Sequence, residues 1–212
     1  MDRSMGSAAP EGTVLLHRFT VKPRHLDDWL ARWPEVRALR ERHGFVLHQG
    51  YVETDAEPKV TLLWSHTDPA RGRAALDADA AASGLHTALA PHVFRNTVER
   101  EVRAELLTPP VPPDERRTVV MRRYAIVGGW EPFLRIWRRI VPVRERHGFR
   151  VLFAVADEPH DLFTWAFDYE GDWAGFPEAQ RGYYRDPARV ELRGVFDHMA
   201  DYSLHPARPL PR

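Results

Sequence analysis

The chain has 212 residues, 43% of them hydrophobic, with 30 basic and 30 acidic side chains and no cysteine. That length allows one large domain or two of about 100 residues. The balanced charge offers no field that would draw nucleic acid or an anionic membrane, and the missing cysteines exclude disulfides, thiolate nucleophiles, iron–sulfur clusters and Cys-based zinc sites.

The opening MDRSMGSAAPEG has no apolar core of a secretory signal. No apolar run approaches the roughly 18–20 residues of a membrane span. A cytoplasmic protein is expected. Val14–Val21 is rich in β-formers and reads as a strand. Arg24–His43 follows with Leu26, Trp29, Leu30, Trp33 and Val36 at helical spacing, and Gly44 stops the helix. Pro34 is expected to kink or divide it. Phe45–Glu53 and Val60–His66 are strand-like and joined by an acidic turn. An Ala-rich helix, about Pro69–Ala82, comes next. Thr97–Leu107 alternates Val98, Val102 and Leu106 with Glu99, Glu101 and Glu105, the pattern of a strand with its charges outward.

Thr108–Arg117, with four prolines, reads as an extended linker. Beyond it the order repeats. Thr118–Tyr124 falls on Thr13–Phe19, Trp137 on Trp33, and Phe163-Thr-Trp165 on Leu62-Leu-Trp64. The hexapeptide Arg-Glu-Arg-His-Gly-Phe occurs at Arg40–Phe45 and again at Arg144–Phe149. The reading is an α+β chain of two tandem βαββαβ (ferredoxin-like) repeats, 12–107 and 118–205 around the linker 108–117. The bare sheet faces of the two repeats are expected to press together as an intramolecular dimeric α+β barrel. His43 and His147 close helices, where a cation suits the macrodipole. The tail Ser203–Arg212 looks too Pro-rich for a strand.

Arg122-Arg-Tyr124, the second hexapeptide, Phe163-Thr-Trp165 and the Tyr183-Tyr184 pair resemble the dimeric α+β barrel superfamily, and within it the NIPSNAP-like proteins. The first half matches more loosely, with His17-Arg18-Phe19 on its first strand. The turn after the first strand, Val21-Lys-Pro-Arg24 and Val127-Gly-Gly-Trp130, departs from that family's Lys-Pro-Gly in both halves. The resemblance implies the fold and a pocket between sheet and helices. The wider superfamily includes cofactor-free oxygenases, isomerases, dehydratases and haem enzymes.

Two candidate sites follow from the residues. In the second half Arg122, Tyr124, Trp165, Phe167, Trp173, Tyr183, Tyr184, His198 and Tyr202 could surround a planar ligand. There Arg122, His198 and Tyr124 would be catalytic: Arg122 would hold an anion, and His198 or a tyrosine would move a proton. Trp165, Phe167, Tyr183, Tyr184 and Tyr202 would bind substrate. Trp165, matched by Trp64, reads equally as core. The alternative site is His17, His48 and His66 on three strands of the first half, with His17 and His66 on neighbouring strands. No metal-binding spacing joins them, so no metal is expected. No nucleotide-binding or nucleophile-elbow motif occurs. The expected function is cofactor-independent chemistry, an oxygenase or a cyclase/isomerase, on a partly aromatic metabolite in bacterial secondary or catabolic metabolism. A ligand-binding module without catalysis is the alternative. Haem stays open, because one His is enough as an axial ligand. The expected partner is a small molecule, with neither nucleic acid nor membrane, and homodimers stay open.

Overall fold

The computed structural model describes residues 11–55, 57–94, 97–110 and 112–211. Most of the N-terminal segment, and Val111 in the expected linker, lie outside them. The chain forms two compact units. The first comprises 11–102 with 109–110 and 209–211; the second comprises 103–108 with 112–208.

The first unit runs β1 (Thr13–Thr20), α1 (Leu26–Arg42), β2 (Val46–Glu53), β3 (Lys59–His66), α2 (Pro69–Ala82), α3 (Leu85–Leu89) and β4 (Val98–Leu107). β1 pairs antiparallel with β3 on one side and with residues 98–102 of β4 on the other, and β3 pairs with β2. Helices cover one face of this sheet. Their apolar stripe meets Leu15, Leu62 and Trp64, with Trp29 stacked on Trp33 at 5.7 Å. Burying such aromatic surface is the main stabilising term.

The second unit runs β5 (Arg117–Ile126), α4 (Trp130–Arg146), β6 (Arg150–Asp157), β7 (Leu162–Glu170), α5 (Phe176–Arg185), α6 (Pro187–Glu191) and β8 (Met199–Pro209). β7 lies between β5 and β6; residues 103–107 of β4 pair with β6, and β8 pairs with β5. Phe133, Trp137, Phe163 and Trp165 fill its core. No helix among the described residues is long and apolar enough to cross a membrane.

The hexapeptide makes the same contacts in each unit. Its first arginine is buried, with the guanidinium 5.1 Å from the phenylalanine that ends it (Arg40 over Phe45, Arg144 over Phe149). Its second arginine and its histidine grip an aspartate of the following helical layer. Arg42 and His43 hold Asp79, each at 3.1 Å. Arg146 and His147 hold Asp186 at 3.3 and 2.8 Å. Both aspartates are shifted below the usual carboxylate range, chiefly by the histidine hydrogen bond. The two histidines therefore bind the helical layers together, beyond the dipole role expected of them.

Three expectations are corrected. Pro34 and Pro142 divide nothing: α1 and α4 run unbroken through them. Each proline removes one backbone bond, while the buried tryptophans Trp33 and Trp137 hold the same helices to the sheet. The tail is a strand as far as Pro209. An antiparallel residue gives its N–H to a given neighbour only at alternate positions, so Pro206 opposite Val120 is tolerated. The β4 charges are not all outward. The Glu99 and Glu105 side chains are only 14% and 3% exposed, because arginines neutralise them.

Candidate active site

A roomy cavity lies in the first unit, between β1 and the helices α1, α2 and α3. Its volume is about 680 Å³, within the usual range for small-molecule sites. Phe19, Trp29, Leu39, Leu76, Ala80, Leu85, Leu89 and Phe94 are among its apolar lining. The Ala-rich α2 and the five-residue α3 leave this space, since Ala80 brings only a methyl group to it.

His17 and Arg40 are the polar residues that β1 and α1 bring to the cavity; Lys22, Asp77, His86 and Thr97 also line it. His17 projects from the middle of β1 directly opposite Glu99 of β4. Glu99 takes a 2.5 Å hydrogen bond from Arg40 Nη2 and a 2.6 Å bond from Arg73 Nε. Burial works against the Glu99 carboxylate, but the two arginines outweigh it and hold its pKa below the ordinary value. Arg40 Nη1 remains buried without an acceptor. His17 Nδ1 is 3.9 Å from Glu99 and has no hydrogen-bond partner. Burial, reinforced by Arg40 and only partly opposed by Glu99, lowers the His17 pKa to about 3. The imidazole is therefore neutral at ordinary pH. The nearby carboxylate favours the tautomer with its proton on Nδ1, leaving Nε2 as an acceptor.

This gives a linkage prediction. The unfolded chain protonates His17 near pH 6.5 and the folded chain only near 3. Between those values the unfolded state binds the extra proton, so acid favours unfolding. This stability is complete above pH 6.5 and is lost as pH falls toward 3, by about 1.4 kcal/mol per pH unit mid-window. Urea titrations at pH 6, 5 and 4 should show that slope, and His17→Leu should reduce it.

The other two first-half histidines do not join His17. The β1–β3 register sets His66 opposite Thr13, four residues from His17, or about 13 Å along a strand. His66 Nε2 donates to the His43 carbonyl at 2.8 Å and Nδ1 accepts from the Asp68 amide at 2.8 Å, so both nitrogens are committed. His48 is bonded to Ser65 at 2.9 Å, and burial lowers its pKa. A different trio comes together. His25 and His92 face each other Nδ1 to Nδ1 at 3.1 Å, with Asp28 3.9 and 4.0 Å away. These ligand atoms are close enough to hold a metal ion, although two imidazoles of opposite tautomer satisfy the contact without one.

In the second unit Arg122, Tyr124, Trp165, Tyr183 and Tyr184 do converge, but they fill their own space. The cavity they leave is about 20 Å³, room for one water. Phe167 is packed against Phe149 in the core. Trp173 stacks on Phe176 at 5.1 Å. His198 donates from Nδ1 to the Gly128 carbonyl at 2.9 Å, and Tyr202 is exposed on β8. Neither His198 nor Tyr202 lines that cavity. Sequence reasoning missed Arg40, Glu99 and Arg73. The signal for Arg40 was present, since it opens the repeated hexapeptide.

No family model and no curated protein matches the sequence. Solved structures do. A candidate monooxygenase from Fusobacterium nucleatum superposes with a TM-score of 0.69 over 96% of this chain and 94% of its own, at 9% identity. A candidate monooxygenase from Lactobacillus acidophilus gives 0.63 over 95% of each chain, at 7% identity. The chain shares the dimeric α+β barrel fold. An anthrone oxidase-like protein gives 0.60 over 95% of this chain and 92% of its own, at 10% identity. At these identities the likeness is one of fold.

Proposed function

We propose that the chain is a small-molecule oxygenase working in the first unit's cavity without a cofactor, on a largely apolar, partly aromatic substrate. The observation that carries this reading is the cavity itself, about 680 Å³ of mostly apolar wall with a neutral imidazole and a buried cation in its lining. The anthrone oxidase-like neighbour suggests the substrate class: a fused aromatic ketone or phenol with an activated CH₂. His17 Nε2 takes a proton from that carbon, and the Arg40 guanidinium beside it offsets the charge that delocalises onto the substrate oxygen. The carbanion reduces O₂ and bonds to it, giving a hydroperoxide on that carbon. Loss of water then leaves a ketone, so CH₂ and O₂ become C=O and H₂O. The cyclase/isomerase reading would use the same proton transfer without O₂.

The finer resemblance to NIPSNAP-like proteins, and the derivation of both units from one tandemly copied βαββαβ element, belong to this reading. The matched element order and the hexapeptide's matched contacts support them. Haem would be held by His17, whose neutral imidazole has the right form for an axial ligand, and would supply oxygen activation. No step above depends on it.

The test is oxygen uptake by purified protein with a panel of fused-ring phenols and anthrones, metal-free and with chelator present. Uptake is expected with one or more of them. Ala80→Phe, which fills the cavity, should cut it at least ten-fold while the protein stays folded. Binding without uptake or rearrangement would leave a carrier module in place of an enzyme. A Soret band on adding haemin, with uptake only then, would replace the cofactor-free reading.

A further inference from the structure

The two units place different residues at the same three positions. In the first, His17 on β1 stands opposite Glu99 on β4, and Arg40 at the end of α1 completes the group. Neutral His17, cationic Arg40 and anionic Glu99 sum to zero, and Arg73, 37% exposed, adds its charge to Glu99 from the solvent side. In the second, Arg122 on β5 stands opposite Leu204 on β8, and Arg144, from the same place in the hexapeptide, completes the group. The histidine has become a cation and the carboxylate an alkyl chain. The balance is two positive charges.

Arg189 of α6 adds a third, its Nε donating to the Tyr183 hydroxyl at 2.7 Å. The three arginines are 5%, 1% and 5% exposed. Among the described residues no aspartate or glutamate pairs with any of them. Arg122 Nε and Arg144 Nε and Nη1 are buried donors with no acceptor. The Arg144 guanidinium lies 4.1 Å from the Tyr183 ring and 4.3 Å from that of Phe167. Ring faces attract a cation but do not neutralise it. Like charges buried together without a counter-charge are costly. The cavity of about 20 Å³ lies among these groups, and Tyr184 and Phe196, 39% and 50% exposed, also line it.

We propose that the second unit binds a small monovalent anion among Arg122, Arg144 and Arg189, replacing the carboxylate that Glu99 supplies in the first unit. A halide from solution and the carboxylate head of a metabolite share that chemistry; the size of the space favours the halide. This site does not depend on the reading of the first unit's cavity. The Tyr184 hydroxyl is drawn toward ionisation: burial resists it, but Arg122 and Arg144 together prevail. A tyrosinate is thus the internal competitor for the same role.

The experiment is thermal unfolding in sodium chloride, bromide or formate against sodium isethionate, whose sulfonate is too bulky, at matched ionic strength. Chloride or bromide about 100-fold above its Kd should raise Tm by about 5–10 °C. Formate alone doing so would assign the site to a carboxylate head. Leu204→Glu sets a carboxylate opposite Arg122. In isethionate it should melt as high as the native protein does in chloride, with no further gain from halide. A crystal soaked in bromide should show its anomalous peak among the three guanidiniums. The proposal fails if the native Tm ignores anion identity, or if Leu204→Glu keeps the full halide response. It also fails if a neutral-pH tyrosinate absorbance disappears in Tyr184→Phe.

Discussion

Glu99→Leu should destabilise the protein by about 3–5 kcal/mol, because it leaves Arg40 buried with no counter-charge. The Arg40 guanidinium lies over the rings of both Phe45 and Trp64, 5.1 and 5.2 Å away, with its side chain 9% exposed. Arg73, 37% exposed, can turn outward when Glu99 is removed, so the loss falls mainly on Arg40. For a chain of this size the Tm should drop by about 6–20 °C. The double variant Arg40→Leu with Glu99→Leu should recover most of it, since a well-packed apolar pair often matches a buried ion pair. Thermal melts of the two variants side by side give the check. A Glu99→Leu protein as stable as the native one would mean that Arg40 finds another acceptor or reaches solvent.

His17→Gln should lower turnover by about 10²–10⁴-fold in the oxygen-uptake assay, with substrate binding little changed. Glutamine keeps a polar side chain of similar length but has no basic nitrogen to take the proton. The pH profile is the sharper readout. With its pKa near 3, His17 is already the neutral acceptor throughout pH 5–8. The acid limb of activity should therefore lie below pH 5, not near the usual 6.5. A limb near 6.5 that persists in His17→Gln would point to a different base. Unchanged turnover would remove His17 from the mechanism.

Much of the fold was legible because it rests on periodicity. The helical spacing of Leu26, Trp29 and Trp33 and the runs Val14–Val21 and Val60–His66 each report a local choice made by a few neighbouring residues. The hexapeptide marked the same corner in each unit. Pro34 does not divide its helix because a single lost backbone bond is small beside the anchoring of Trp33 and its neighbours. The tail misled because prolines in a ladder matter only where an N–H is required. Glu99 misled most: alternation says which face a residue is on, not whether an arginine from another element waits there. The cavity is hardest to read, since it consists of side chains that are absent. The alanines of α2 are compatible with close packing or with open space, and only the placement of Ala80 against Trp29 and Leu39 decides.

The ties that the hexapeptide makes to Asp79 have a kinetic side. They fasten α2 to the end of α1, so that edge of the cavity roof moves only if two polar bonds break together. The roof's continuation is held differently. Gly84 turns the chain with φ of 74°, and α3 beyond it has no fully buried residue. Leu85, His86 and Leu89 line the cavity from this loosely held segment. Local motion of this short turn would widen or narrow the cavity while the tryptophan-packed body of the unit keeps its shape. Adjustment to guests of different size then falls to a loop, and the core need not repack.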